Sequence, residues 1–341
     1  MTNKLSPKKA AVIALACVVV GVLLILPIFV TNYYISLGVQ CFLFACFAMA
    51  WNLIGGYGAQ ISWCHSAFVA MGAYCNFIFA SNYQVSPWAT MPLAAVVSFA
   101  LATLIGNGTF RLRGPYFSIA TIAFAEACRL LINYFKSVTK GSAGIYVTYR
   151  GQNFWALTFK TDKPFYYISL ILMLIILLVT WIFTNSKTGK YLGAIKGDED
   201  AAESLGIETF KVKLRAFQLS AVLCAIAGSI YASFMTYISP SAICGFDLSI
   251  KIGVIAIVGG VGTLFGPLLG AFVVIPLIEF TSKLLGSVGG SQLLYGLLLM
   301  IIVIFRPKGL ISLILRDRSE VNVAVGKKAA DSSTEGGSNH V

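Results

Sequence analysis

Residues 165–184 read "FYYISLILMLIILLVTWIFT", and residues 185–207 continue "NSKTGKYLGAIKGDEDAAESLGI". The first stretch has twenty consecutive residues without a charged side chain, the length that an α-helix needs to cross a hydrocarbon layer about 30 Å thick. The second opens a window, residues 185–215, that holds 11 of the 38 charged side chains of the chain. This contrast predicts a helix that crosses a membrane and then leaves it through a charged loop.

The whole composition has the same bias. Of 341 residues, 58% are hydrophobic and 11% are charged, whereas soluble domains carry about 25% charged residues. We therefore expect an all-α, polytopic transmembrane bundle of about eight to ten spans, some of them broken or tilted. The run 10–30 is longer than the apolar part of a signal peptide, so we interpret it as a retained first span. The predicted apolar segments are 10–30, 35–54, 61–80, 88–108, 115–135, 165–184, 213–238, 247–264, 267–285 and 291–306.

The net charge of +12 follows the pattern of membrane topology and does not form a nucleic-acid surface. If the amino terminus is inside, 17 of the 25 basic residues fall in cytoplasmic loops and ends, five fall in the exterior loop 136–164 and three lie within segments. Basic residues stay preferentially on the cytoplasmic side. This distribution predicts cytoplasmic termini and an even number of spans. We expect one membrane domain over residues 1–318 and a disordered cytoplasmic tail over residues 319–341.

The exterior loop 136–164 is rich in glycine and aromatic residues. Exterior loops carry binding functions but also simply connect elements. The sequence leaves both interpretations open, because this loop either docks an external partner or caps the bundle.

Two glycine-rich stretches interrupt the apolar pattern, "GGYGAQISWCHSAF" at 55–68 and "GGVGTLFGPLLGAF" at 259–272. Glycine disfavours helix, and non-helical backbone at membrane depth persists only where protein buries it or where it lines a cavity. Paired interrupted segments in the two halves of a chain are one indication of a transport site. The alternative is an ordinary turn before a polar helix start. On the first interpretation the translocation path is lined by Gly55, Gly56, Gly58, Gln60, Ser62, His65, Gly259, Gly260 and Gly262.

Three acidic residues inside apolar segments have a basic residue three or four positions later. This spacing, with the acid first, favours a pair on one helix face. We expect local neutralisation, although intramembrane charges are also candidates for a functional site. The predicted pairs are Glu126 with Arg129, Asp247 with Lys251, and Glu279 with Lys283.

The charged loop 185–215 contains signals for short helices outside the bilayer. Asp200 and Glu203 have the spacing of a capping box, and Gly206 stands where a helix would end. An apolar stripe along the loop would need a partner to bury it, whereas without that stripe the loop is only a solvated connection. The residues predicted to form this docking surface, which the family resemblance described below assigns to coupling with an ATPase, are Tyr191, Ile195, Asp200, Ala201, Ala202, Glu203, Leu205 and Gly206.

Motifs for chemistry are absent from the sequence. No phosphate-binding GxxxxGK[ST] occurs, and the two histidines and eight cysteines, with no CxxC pair, do not form a metal-ligand pattern. We expect no catalytic residues, no metal, and cysteines that act as small buried hydrophobes.

Taken in order, these stretches resemble the branched-chain amino-acid ABC transporter permease family, in particular its LivM-type subunit. The resemblance covers residues 35–312. In the loop, Asp200 stands where the family's coupling motif has Glu, and Gly206 matches its glycine. The chain departs from the usual family pattern at Gly58-Ala59-Gln60, at Cys64-His65 and at Glu126. The further stretches that carry the resemblance are "GPYFSIATIAFAEACRLL" (114–131), "TKGSAGI" (139–145), "LRAFQLSAVLCAIAGSIYA" (214–232), "IVGGVGTLFGPLLGA" (257–271) and "FRPKGL" (305–310).

The resemblance implies a non-catalytic permease subunit of a bacterial importer in the cytoplasmic membrane. Its implied partners are a homologous second permease, two cytoplasmic ATPases that bind ATP and Mg, and an extracytoplasmic amino-acid-binding protein, with membrane lipid around the bundle and no nucleic acid. The implied cargo is Leu, Ile or Val, with urea, amides or nucleosides as alternatives within the family. From a different class, a self-sufficient secondary transporter or channel stays open.

Overall fold

The computed structural model describes residues 21–146 and 153–285, together with 296–297, 300, 304 and 309–313. In this part of the chain, seven helices are long and apolar enough to cross a membrane. The helices in chain order are α1 (21–29), α2 (Asn32–Gly55), α3 (His65–Tyr83), α4 (Pro87–Thr109), α5 (Pro115–Tyr134), α6 (Lys136–Thr139), α7 (Lys163–Asn185), α8 (Lys187–Gly197), α9 (Glu199–Ser204), α10 (Thr209–Met235), α11 (Pro240–Ile243), α12 (Phe246–Gly259) and α13 (Gly266–Leu285). Short 3-10 turns lie at Gly141–Ala143 and Leu310–Leu313, and two short strands, β1 (Ile145–Tyr146) and β2 (Tyr237–Ile238), complete the described elements.

The prediction of an all-α membrane bundle is confirmed. Eight of the ten predicted segments are described over their whole length, and each contains a helix. The segment 10–30 is described only from residue 21, where it is helical, and four helical residues of 291–306 are described. The predicted tail 319–341 lies outside the described residues.

Helix α2 is the centre of the bundle. It packs against α7, α10, α12 and α13, and 83% of its most apolar stretch is buried. Residues 41–55 of α2 are buried on every side of the helix, as expected for an apolar helix at the core of a bundle. In contrast, α5 is peripheral, with 28% of its most apolar stretch buried.

Small residues let α3 and α10 approach closely. A Cβ at Gly72 or Gly228 would overlap backbone of the opposite helix. Polar atoms complete the contact, since Asn76 Nδ2 donates to Ser229 O at 2.8 Å and to Ser233 Oγ at 2.9 Å. Small residues and interhelical hydrogen bonds are the usual basis of helix association in membranes, at about 0.6 kcal/mol per hydrogen bond.

The two ends of the bundle differ. One end, here called the loop face, carries α8 and α9, and the other, the strand face, carries β1 and β2. The strands pair antiparallel, with Ile145 opposite Ile238. Residues 153–162 cover the same end, where Trp88 stacks on Phe154 at 5.2 Å. The described part of the exterior loop therefore packs on the bundle as a cap, which favours one of the two interpretations and leaves docking of a partner untested.

Candidate functional site

The charged loop on the loop face consists of two short helices held in place by caps. Ser186 Oγ accepts from the Gly189 amide at 3.2 Å at the start of α8. Asp198 Oδ1 accepts from the Ala201 amide at 3.0 Å at the start of α9. At the end of α9 the Gly206 amide donates to Glu203 O at 2.9 Å and the Ile207 amide to Ala202 O at 3.1 Å. This pair of bonds is a Schellman motif, and Gly206 adopts the positive φ, 81°, that the motif requires.

The predicted helix end at Gly206 is thus confirmed, but the predicted capping box is wrong. The N-cap of α9 is Asp198, because Gly197 ends α8 and Asp198 takes the extended conformation of a cap. Asp200 lies within the first turn, where its carboxylate pairs with Arg113 at 2.9 Å. Glu203 does not reach back to a cap, since its Oε1 accepts from Thr209 Oγ1 at 2.5 Å.

The predicted apolar stripe is divided between two directions. Ile195 and Ala202 are 4% and 3% exposed and point into the chain's own interior. Tyr191 and Leu205 are 45% and 83% exposed, and Ala201 is also exposed. The single stripe was wrong because Asp198 interrupts the helix, so α8 and α9 do not share one helical register. Of the predicted stripe, the residues that face outward are therefore Tyr191 and Leu205.

Charged side chains fix the loop to the bundle. Lys213 of α10, with 3% of its side chain exposed, donates to Glu199 Oε1 of α9 at 2.5 Å. The hydrogen bond to Asp200 raises the pKa of Arg113, which lies in the turn between α4 and α5. The pair of Glu199 and Lys213 holds the loop in place because Lys213 is buried and would otherwise be an unpaired charge, whereas the exposed pair between Arg113 and Asp200 contributes little.

The two glycine-rich turns meet at the loop face. Asn52 lies between them, donating to Thr263 O at 2.9 Å and accepting from the Gly262 amide at 2.8 Å. A Cβ at Gly56 would overlap Asn52 Oδ1 and stand 2.6 Å from the Gly262 amide nitrogen. Sequence reasoning paired these turns by their shared Gly-Gly-x-Gly pattern but missed Asn52. It is the one strongly polar residue in residues 41–55 of α2, and that was the available signal.

The charged loop reaches this junction through one side chain. Lys196 Nζ, at the end of α8, donates to Gly56 O at 2.9 Å. Its amine also lies beside Gly262, where an added Cβ would be 2.9 Å from Nζ. Lys196 therefore connects the loop with both turns, a contact that the sequence pattern did not indicate.

After the first turn the chain runs back along α2 before α3 begins. Residues 59–64 have no regular structure, and Trp51 Nε1 donates to Ser62 O at 2.7 Å. His65 shares a hydrogen bond with Ser220 Oγ at 2.7 Å, and that hydroxyl donates to Ala50 O at 2.6 Å. Helix α3 thus starts level with Ala50, about 7 Å along α2 from its last residue at 1.5 Å per residue.

The residues predicted to line a path occupy several environments. Gly55, Gly56, Gly58, Ser62, His65, Gly259 and Gly260 are buried, and Gln60 and Gly262 are half-buried. Ser62 and His65 point into the interior between α2, α3 and α10. Glycine at 259 and 266 permits the close approach of α12 and α13, because a Cβ at either position would overlap backbone across the turn. Which of these residues line a path stays a prediction.

A further helix break, which was missed from the sequence, lies beside the start of α3. Cys244 and Gly245 separate α11 from α12. At this level the Ser66 amide donates to Ser249 Oγ at 3.0 Å, and Ser66 Oγ donates to Cys244 O at 3.3 Å. Pro240 and Gly245 were the available signals for this break.

Only one of the three predicted intramembrane pairs forms. Glu126 and Arg129 are joined by two hydrogen bonds, one from Arg129 Nε to Glu126 Oε2 at 2.9 Å and one from Nη2 to Oε1. Lys251 instead places Nζ 4.2 Å from the centre of the Phe44 ring, and Lys283 places Nζ 3.5 Å from the centre of the Tyr33 ring.

The pairings of Asp247 with Lys251 and of Glu279 with Lys283 are therefore wrong. The long lysine stems reach aromatic faces of α2, where cation–π attraction replaces the carboxylate. Glu279 lies instead within electrostatic range of Lys251 on the neighbouring helix. The prediction used only the spacing of residues along one helix, and this spacing carries no information about contacts between helices.

Among the residues that the structure describes, no three His, Cys, Asp or Glu side chains lie close enough to hold a metal ion. Six of the seven described cysteines are buried and Cys75 is half-buried, all as free thiols. The prediction of buried thiols is confirmed for those six, and Cys17 lies outside the described residues.

The family model described as "branched-chain amino acid transport system / permease component" matches residues 33–304. The chain belongs to this family. Curated relatives include the high-affinity branched-chain amino acid transport system permease protein LivM of Salmonella typhimurium, 26% identical over 84% of this chain and 71% of that protein. LivM of Escherichia coli is 25% identical over the same shares of the two chains.

Relatives named for a different cargo also match part of the chain. The autoinducer 2 import system permease protein LsrC of Yersinia pseudotuberculosis is 28% identical, over 39% of this chain and 39% of that protein. No solved structure matches the chain. Family membership and the seven apolar helices identify a multi-pass membrane protein, homologous to permease subunits, and confirm the resemblance stated from the sequence.

Proposed function

We propose that this chain is the non-catalytic permease subunit of a bacterial ATP-driven importer that moves branched-chain amino acids across the cytoplasmic membrane. The observation that carries the proposal is the loop of α8 and α9. It is fixed to the bundle by Lys196 and by the partly buried pair of Glu199 with Lys213, yet it presents Tyr191 and Leu205 outward. A rigid support with an exposed apolar surface suits transmission of force from a partner.

The partner that this surface fits is an ATPase with an apolar groove on the cytoplasmic side. That orientation is supported by the distribution of Lys and Arg, since 17 of the 25 basic residues would lie on the cytoplasmic side and five on the exterior side. ATP and Mg are bound by two such ATPases, while a homologous second permease and an extracytoplasmic binding protein complete the importer. Residues 1–318 form the membrane domain, and the tail 319–341 takes no part in coupling.

The cargo is a branched-chain amino acid because the family match and the two LivM relatives, each over 84% of the chain, carry that function in their names. Autoinducer 2 is the second candidate, supported by the shorter match to LsrC. Uptake of radiolabelled leucine into proteoliposomes, with unlabelled valine, isoleucine and autoinducer 2 as competitors, separates the two. The reaction must require ATP, the ATPases and the binding protein; flux by this chain alone on an ion gradient contradicts the proposal.

The coupling surface is tested by Leu205→Glu. The side chain is 83% exposed, so a carboxylate there leaves the fold intact but places a charge in the apolar contact. We expect normal membrane levels, loss of ATPase co-purification and loss of uptake. Val138→Glu, an exposed apolar position on the strand face, is the matched control and keeps the ATPases bound. Retention of the ATPases by the Leu205→Glu complex would show that the loop is only a solvated connection.

A further inference from the structure

One flank of α5 carries a polar stripe through the membrane-spanning part of the bundle. The fully buried line of this helix is Phe117, Thr121, Ala125, Cys128 and Ile132. Beside that line, every residue of the stripe is half-buried, and four of its five members are polar. The stripe consists of Ser118, Ile122, Glu126, Arg129 and Asn133.

This polar flank of α5 is not expected to face lipid. Glu126 lies about 17 Å from the start of α5 and about 12 Å from its end at 1.5 Å per residue. Its short side chain cannot reach either membrane surface from there. The side chain of Glu126 is nevertheless 46% exposed, and that of Arg129 is 29% exposed. Charges at this depth face a protein or a water-filled cavity.

The neighbours of the stripe are the irregular segments of the chain. Ser118 Oγ donates to Ile61 O at 2.7 Å, in the segment that precedes α3. Cys244 Sγ contacts Ala125 O at 3.7 Å, so the break between α11 and α12 lies beside Glu126. Interrupted helices with a polar flank between them are the arrangement in which transporters place their substrate near the midplane.

We propose that this flank of α5 lines the translocation path and that Glu126 and Arg129 form a transit site for the zwitterionic head group of an amino acid. Glu126 accepts the substrate ammonium, and Arg129 binds its carboxylate through the planar fork of the guanidinium. The proposal rests on the proposed function, because it assumes an amino-acid cargo and a second permease that covers the exposed side of α5.

The energetics favour a self-paired site over two separate charges. Without substrate, the two side chains neutralise each other, so no unpaired charge is left in a medium of low dielectric. With substrate, each exchanges one opposite charge for another, and the total charge of the site stays zero throughout. Binding is therefore weak and reversible, as transit requires.

The test uses the complete importer in proteoliposomes, with leucine uptake and ATP hydrolysis measured together. The double variant Glu126→Gln/Arg129→Met removes both charges and keeps the side-chain volumes similar. We expect leucine uptake to fall about tenfold or more, the effect of losing one charge-assisted hydrogen bond, while ATP hydrolysis still responds to loaded binding protein. Leu131→Ala, on the opposite side of α5 and 55% exposed, is the control and keeps normal uptake.

The swapped variant Glu126→Arg/Arg129→Glu decides between recognition and a fixed contact. It keeps both charges, and a zwitterion can bind to it in the reverse orientation, so we expect uptake well above that of the double variant. Wild-type uptake in the double variant, dissociation of its complex, or a swap as inactive as the double variant each overturns the transit site. If the wild-type complex carries no amino acid, the proposed function itself fails and the transit site fails with it.

Discussion

Replacing Gly206 by Ala tests whether the loop of α8 and α9 owes its shape to the end of α9. A Cβ at this position meets no atom within 4 Å, so the substitution creates no clash. Its whole cost arises from the backbone, because φ is 81° and an L-residue there costs about 1–2 kcal/mol. That free energy corresponds to about a 5- to 30-fold change in the population of the opened loop.

Hydrogen–deuterium exchange of the purified complex measures this change. We expect amides of α9 and its Schellman motif to exchange about 5 to 30 times faster in Gly206→Ala than in wild type. The matched control is Gly193→Ala, which also meets open space but lies inside α8. There alanine stabilises the helix by about 1 kcal/mol, so exchange slows or stays unchanged. Equal exchange in wild type and Gly206→Ala would refute the argument that this glycine fixes the loop.

Three further substitutions test the interior of the loop face. Ala202→Glu puts a carboxylate at a position that is only 3% exposed. We expect the loop to unfold locally, which would be measured as faster proteolysis between α7 and α10. Resistance to proteolysis equal to that of the wild type would contradict the burial. Lys213→Met leaves the partly exposed Glu199 without its partner and lowers stability by about 1.5–3 kcal/mol, measured as a lower Tm. Glu199→Gln/Lys213→Met recovers most of this stability, and an unchanged Tm in the single variant would count against the pair. Gly56→Ala overlaps Asn52 Oδ1, so we expect a lower yield of folded protein by size-exclusion chromatography, and a normal yield would show that the junction yields easily.

The fold was largely predictable because a long apolar run in the sequence predicts each membrane span. Eight segments contained a helix for this reason. Local signals also succeeded where one residue determines the outcome, as at Gly206. Prediction failed where two elements compete for the same residue. Asp198 and Asp200 have the same chemistry, and only the end of α8 decides which of them caps α9.

Local sequence patterns did not predict the contacts between distant parts of the chain. Lys251 and Lys283 contact aromatic rings on α2 and do not pair with the acidic residues of their own helices. Lys196 was one of several loop lysines, and nothing in its spacing distinguished it from Lys190. The two glycine turns could be paired by their letters, but the Asn52 side chain that joins them acts across 210 residues.

The links between the two halves of the chain have a mechanical consequence. On the strand face, β1 from the first half pairs with β2 from the second. On the loop face, Asn52 bonds to Gly262 and Thr263, and Ser66 bonds to Ser249 between these ends. A gate that opened between the halves would have to break hydrogen bonds at three levels at once. The described part of the chain is thus held together at both faces and between them, and we expect it to move as one body against the other subunits of the proposed importer.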